Sequence, residues 1–200
     1  MFAIEVCVPD SAQFEIAAAI FSSCPRFFTV RQTSIVNASH RSIATAGNSF
    51  GGMSGGVDGA VNTHLSSYTP CEYVQDRVKA AIVEQFAGEL PVGAAVVVAT
   101  AHPRHTTLIY APTMRVPGPL PEDTIVPYLA FRAVLVALKR SGMRSVSTPL
   151  FGTGAGEVPV AKACRQMLRA AASVEACGRT MLQPNELFSM HRDHRELLAL

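Results

Sequence analysis

The sequence predicts a three-layer α/β/α sandwich around a mixed central sheet. Three observations carry that prediction. Strand-like and helix-like stretches alternate in the order β-α-β-β-α-α-β-β-α-β-α, which places helices on both faces of one sheet. The run from Ala94 to Thr100 is almost wholly apolar and β-branched, the composition of a strand buried on both faces. Two early strand-like stretches, 27–35 and 43–47, follow one another with no helix between them, which favours a mixed sheet over a purely parallel one.

Each element has its own signal. From Phe2 to Val8 the apolar residues Phe2, Ile4, Val6 and Val8 alternate, as in a strand. Asp10 or Ser11 can cap a helix reaching about Ser23, with Phe14, Ala17, Ala18 and Phe21 along one face; Pro25 breaks the pattern. Asn37 to Ser42 reads as a polar turn. Helices are expected over Gly56–Ser67 and Glu72–Phe86, the second bounded by Pro70 and Gly88. His102 to His105 reads as a surface turn and Thr106 to Ala111 as a strand. The segment Pro112–Pro121 is too rich in proline to be regular throughout. A helix over Thr124–Arg140 closes at Gly142, a strand spans Arg144–Thr148, and Pro159 starts a helix reaching about Val174. Residues 1–178 are expected to form a single domain. Residues 179–200 are expected to be a peripheral segment with a short helix near Glu186–Leu197, able to reach a protein partner.

Composition narrows the function classes. Two hundred residues bury roughly 70% of the extended chain's surface, so no disulfide staples are needed. Five scattered cysteines suit neither a disulfide framework nor a zinc knuckle. Lys+Arg 17 against Asp+Glu 15 is too balanced to point to nucleic acid or an anionic membrane as the main partner. With no signal-like opening and no apolar run near the roughly 20 residues of a bilayer span, a cytoplasmic location is expected.

Two glycine-rich loops carry the chemistry. Residues 47–59 run Gly-Asn-Ser-Phe-Gly-Gly-Met-Ser-Gly-Gly-Val-Asp-Gly, and 152–156 run Gly-Thr-Gly-Ala-Gly. Both follow a predicted strand and precede a predicted helix. They should therefore open on the same sheet edge, where backbone amides can receive a diphosphate from two sides. The second loop lacks the Gly-Lys-Ser/Thr ending of a P-loop, and neither has Rossmann spacing. A phosphate-bearing ligand other than a nucleoside triphosphate or redox dinucleotide is indicated.

Over roughly residues 27–174 the chain resembles a macro domain, the α/β/α module that binds ADP-ribose and sometimes hydrolyses it. The matching stretches are Ile43-Ala-Thr-Ala-Gly-Asn48, Ser54-Gly-Gly-Val-Asp-Gly-Ala-Val61, and Gly152-Thr-Gly154 followed by Pro159. The likeness is nearest to a macro domain-like, phage-tail-like branch, through Gly47-Asn-Ser-Phe-Gly51, Pro112-Thr-Met-Arg-Val-Pro117 and Gly152-Thr-Gly154. The resemblance implies ADP-ribose or an ADP-ribosylated molecule as partner and needs no cofactor or metal. It implies that Gly47 and Asn48 line the ligand site, with Asn48 bonding the distal ribose. Gly55, Gly56 and Val57 would offer backbone, and Gly152, Thr153, Gly154, Ala155 and Gly156 would hold the diphosphate. Asp58 would position or activate water, so Asn48 and Asp58 are the expected catalytic pair. Two activities follow: hydrolysis of an ADP-ribosyl ester or of ADP-ribose 1″-phosphate. The alternatives are a non-catalytic reader and a ligand-free interaction module. Three positions depart from the family pattern. Ser34 stands where an adenine-binding aspartate is usual, Glu157-Val158 where an aromatic is usual, and Met53 interrupts the glycine run.

Other residues are read from their chemistry. Arg115 can pair its fork with a phosphate or fasten the proline-rich loop by a salt bridge. Phe50 and Phe151 could wall a ribose or base, with at least one of them in the core. Cys71 reads as a structural or solvent-facing thiol. His102, His105, His191 and His194 read as surface residues, because no third metal ligand lies near either pair in sequence.

Overall fold

The computed structural model describes residues 1–68, 73–176 and 187–200. Strand β1 spans Ala3–Cys7, β2 Phe28–Arg31, β3 Ser42–Asn48, β4 Val96–Ala99, β5 Thr107–Met114 and β6 Ser145–Thr148. The helices are α1 Ser11–Phe21, α2 Gly56–Ser66, α3 Val74–Phe86, α4 Val126–Arg140, α5 Val160–Ala176 and α6 Leu187–Leu198. They make one sheet in the order β2-β1-β6-β3-β5-β4, between two helical layers. Each strand pair is parallel except β4–β5. The mixed character therefore comes from the β4–β5 hairpin. The early strands β2 and β3, which suggested it from sequence, lie on opposite sides of β1 and β6.

Local chemistry sets the boundaries. Asp10 caps α1, its Oδ1 accepting from the Gln13 amide at 2.8 Å. Lys139 and Arg140 close α4, where cations suit the helix dipole. Strand β2 stops at Arg31, short of the expected Ile35, and Ile35–Asn37 forms a 3-10 turn instead. Strand β5 runs further than expected, through Pro112 to Met114. The ladder with β4 ends at Tyr110, so the missing N–H of Pro112 falls beyond it. Strand β4 is an edge strand and not one buried on both faces: Val96 and Val98 are buried, Val97 is half-buried and Ala99 exposed. The turn from His102 to His105 is not a surface turn, since both histidines are buried. His191 and His194 are exposed, as expected. The expected helix start near Pro70, and Cys71, lie outside the described residues.

The sheet separates two cores. On one face α1, α4 and α5 cover Ile4, Val6 and Val146, with rings running Phe21–Phe28–Phe131–Phe151 at centroid spacings of 4.3, 6.3 and 5.6 Å. On the other, α2 and α3 cover Ile43, Val96 and Tyr110. Met53 is fully buried in this second core, packing beneath the loop it interrupts. Among the described residues, no helix is long and apolar enough to cross a membrane.

From inside β1, Glu5 fastens β2, β6 and the loop that precedes β3. It is only 2% exposed. It accepts hydrogen bonds from Arg31 Nη1 at 2.7 Å, from the Ser39 amide at 2.8 Å and from Ser147 Oγ. Burial pushes its pKa up, but the bonds from Ser147, Ser39 and Arg31 outweigh burial and hold it at about 2, against an ordinary 4.5. A depressed carboxyl pKa stabilises the fold above the unfolded value, and that contribution is lost as pH falls from about 4.5 to about 2. The shift corresponds to about 3 kcal/mol at neutral pH. Glu5→Gln is expected to lose about 2–3 kcal/mol at pH 7 and to converge with the parent near pH 2 in urea unfolding across a pH series. An equal deficit at both pH values would reject the account.

Candidate functional site

Strands β1, β6, β3 and β5 run parallel, so their carboxyl ends share one sheet edge. A cavity of about 670 Å³ opens there, within the range of small-molecule sites. Its contributors follow the strand order. The β1 end supplies Cys7, Asp10 and Gln13, the β6 end Pro149 to Gly156 without Phe151, and the β3 end Gly47, Asn48 and Ser54 to Asp58. Ser34 lines it from the start of the 3-10 turn, Met114 from the end of β5 and Pro117 from beyond it. Gly47, Asn48, Gly55, Gly56, Val57, Asp58, Gly152, Thr153, Gly154, Ala155 and Gly156 therefore all line one cavity. Neither glycine loop is collapsed across it.

The β3 end is held by Tyr110. Its hydroxyl accepts from the Asn48 amide and donates to the Asn48 carbonyl, both at 2.8 Å. A Cβ on Gly47 would lie 2.0 Å from that oxygen, so no larger residue fits there without displacing the ring. The β3–β5 register shifts between Gly47 and Asn48, which turns the chain off the sheet. The Asn48 carboxamide then shapes the loop. Its Nδ2 donates to the Gly52 carbonyl at 2.9 Å, and its Oδ1 accepts from the amides of Phe50 and Gly52. One Nδ2 hydrogen remains beyond these bonds. Asn48 is thus first an organiser of the loop.

The second loop is closed on itself. Val158 donates its amide to the Gly152 carbonyl at 3.0 Å and Glu157 to Gly154 at 2.9 Å. Gly152 has φ +79°, and a Cβ on Gly156 would lie 2.6 Å from the Gly152 carbonyl oxygen, so both positions need glycine. Gly154 has open space where a side chain would project. Val158, at the position where the family pattern has an aromatic, is buried beside Gly152.

Asp58 sits in the first turn of α2, with Thr45 Oγ1 donating to its Oδ1. Burial pushes its pKa up to about 7, and the Thr45 bond offsets only part of that rise. A carboxyl group titrating near neutrality beside an open cavity is able to exchange a proton with bound water.

Two expected ligand residues lie elsewhere. Phe151 is fully buried in the core against Phe131 and does not line the cavity. Arg115 is also outside the lining: its Nε and Nη2 meet Glu89 at 2.7 and 3.1 Å, and its guanidinium lies over the Phe50 ring at 5.0 Å. The salt bridge, not a phosphate, takes its fork. Other lining residues carry no site signal in the sequence, among them Asp10, Gln13 and Cys7. In the sequence Asp10 signals only a helix cap and Thr45 only a place in a strand. No local signal reveals that β1 lies beside β6, and that adjacency is what brings Asp10 to the cleft.

The sequence model of the family described as Macro domain matches residues 44–167, more than half the chain. No curated protein matches the chain. Solved structures resemble it at the level of fold. The macrodomain of Mycobacterium tuberculosis DarG superposes with a TM-score of 0.58 at 16% identity, over 70% of this chain and 86% of that one. A variant of the Oceanobacillus iheyensis macrodomain with ADPR gives 0.58 at 20%, over 70% and 73%. The Trypanosoma brucei macrodomain in complex with ADP gives 0.55 at 16%, over 88% and 59%.

Tyr110→Phe keeps the ring but leaves the Asn48 amide and carbonyl without their partner. Urea unfolding is expected to show a loss of about 1–3 kcal/mol. Unchanged stability would show that the hydroxyl does not hold the end of β3.

Proposed function

The chain belongs to the macro domain family, and from that premise we propose that its cleft binds ADP-ribose and that Asp58 supports hydrolysis of an ADP-ribosyl ester or ADP-ribose 1″-phosphate. The observation that carries the reading is one cavity lined by both glycine loops and by Asp58. Solved macrodomains with ADPR and ADP agree with the ligand class. Within the family, the phage-tail-like branch is favoured by the segments at 47–51, 112–117 and 152–154.

In this reading the ligand lies across the strand ends. Gly152 to Gly156 face the diphosphate with backbone amides. The distal ribose lies beside Asn48, Gly55, Gly56 and Val57. The base lies toward β1, beside Ser34, Asp10 and Gln13. Asp10 supplies a carboxylate there that the position of Ser34 lacks, and its second oxygen can accept from an exocyclic amine. In the hydrolytic step, water attacks the anomeric carbon and gives a proton to the Asp58 carboxylate. The anomeric C–O bond breaks, and the carboxylate or phosphate leaves with the bonding pair. Asp58 must be deprotonated for this role, so turnover rises with pH through about 7. Binding without turnover is the second reading, favoured because the Asn48 carboxamide is engaged in its own loop.

Titration calorimetry with ADP-ribose, and with AMP and ADP as controls, tests the pocket. Micromolar binding that depends on the distal ribose is expected, and no binding to any of the three would overturn the reading. Asp58→Ala is expected to lower turnover by at least about 100-fold while changing affinity only a few-fold. An unchanged rate removes Asp58 from the chemistry, and no turnover by the parent leaves the reader. Asp10→Asn preserves the helix cap but removes the charge. It is expected to weaken ADP-ribose about tenfold and the hypoxanthine analogue less; equal effects would displace Asp10 from base recognition.

A further inference from the structure

At the sheet edge opposite the cleft, three histidines from two elements converge. His64 lies in the last turn of α2, and His102 and His105 lie in the turn joining β4 to β5. Ring centroids are 4.3 Å apart for His64–His102, 5.2 Å for His64–His105 and 5.1 Å for His102–His105. One nitrogen of each ring lies within 4.8 Å of one nitrogen of both others. We propose that His64, His102 and His105 bind a divalent metal ion of the zinc class, at a site separate from the cleft.

Donor type and spacing point to that class. Neutral imidazoles suit zinc and its neighbours in the first transition row, whereas calcium and magnesium require oxygen. Three nitrogens at zinc bonding distance lie about 3.3 Å apart, so the cluster must tighten by roughly 1.5 Å at most. His64 Nε2 is buried and has no hydrogen-bond partner among the described residues, so a lone pair or an N–H is left unused there. His105 Nδ1 lies 2.9 Å from the His40 carbonyl. Donation to that carbonyl leaves the His105 Nε2 lone pair for a metal, the outer-shell arrangement usual for metal-bound histidine.

Two features set the cost of binding. Arg104 Nε now donates to His105 Nε2 at 3.0 Å. Arg104 is exposed and is held otherwise by the Val36 carbonyl at 3.0 Å, so its guanidinium can leave by side-chain rotation. His102 Nδ1 accepts from the amides of Arg104 and His105 at 3.2 and 3.0 Å, which places its proton on Nε2. Ligation through Nε2 moves that proton to Nδ1 and frees both amides. Metal binding is therefore coupled to the β4–β5 turn, and it ties that turn to the end of the helix whose first turn carries Asp58.

Titration of the full chain with Co²⁺, followed in the visible range, tests the site. One equivalent is expected to give tetrahedral absorption without a thiolate charge-transfer band. A hundredfold excess of Zn²⁺ over its Kd is expected to raise Tm by about 5–10 °C. His64→Leu gives up no hydrogen bond at Nε2 and should fold; it is expected to lose both effects while binding ADP-ribose like the parent. Arg104→Ala removes the competing donor and is expected to bind metal several-fold more tightly, whereas His191→Ala with His194→Ala should change nothing. No Co²⁺ absorption, a thiolate band, or equal binding by His64→Leu would overturn the proposal. ADP-ribose affinity is read separately, so failure here is distinct from failure of the cleft reading.

Discussion

The Tyr110 hydroxyl is the contact on which the cleft depends. It satisfies both backbone groups of Asn48 where β3 leaves the sheet, and it occupies the space that a Gly47 side chain would need. An unpaired amide and carbonyl there would cost more than the net worth of an ordinary hydrogen bond. With them satisfied, β3 can end abruptly, and Asn48 can turn its carboxamide to the loop that follows. The β3 end of the cleft is thus built from backbone geometry first. The Tyr110 ring is itself fully buried in the α2/α3 core, so the loop inherits the rigidity of that core.

The same edge explains the electrostatics. Parallel strands deliver loop amides together, and α2 begins there, so partial positive charge gathers without any lysine or arginine in the cavity lining. The formal charge of +2 is thus not what gives the cavity its electrostatic character. Asp58 answers this field from the first turn of α2, and burial balances the benefit of charge, leaving its proton poised near neutrality. Glu5 shows the opposite balance: three donors surround it and its charge is kept. Three donors against one separate the two carboxyl groups.

Element types were legible because periodicity is local. The alternation in β1, the helical stripe of α4 and the Asp10 cap depend on neighbours within a few residues. Both glycine loops were legible for the same reason, with their chain order between strand and helix. Element ends were less so. Strand β2 stops early and β5 runs long because pairing partners, not propensity, decide where a ladder ends. The histidines at 102 and 105 looked like surface residues because their third neighbour, His64, lies 38 positions before the first of them.

From sequence, then, came the layer architecture, the placement of both glycine loops and the candidate carboxylate at Asp58, since each is written in spacing along the chain. Strand order is not written there. It arises from which apolar faces bury best once all helices are packed, and it set three things: Asp10 at the cleft, Phe151 in the core, and Arg115 against Glu89. Each depends on groups brought together from distant positions by the cooperative burial of two cores, and a one-dimensional pattern carries no measure of that distance.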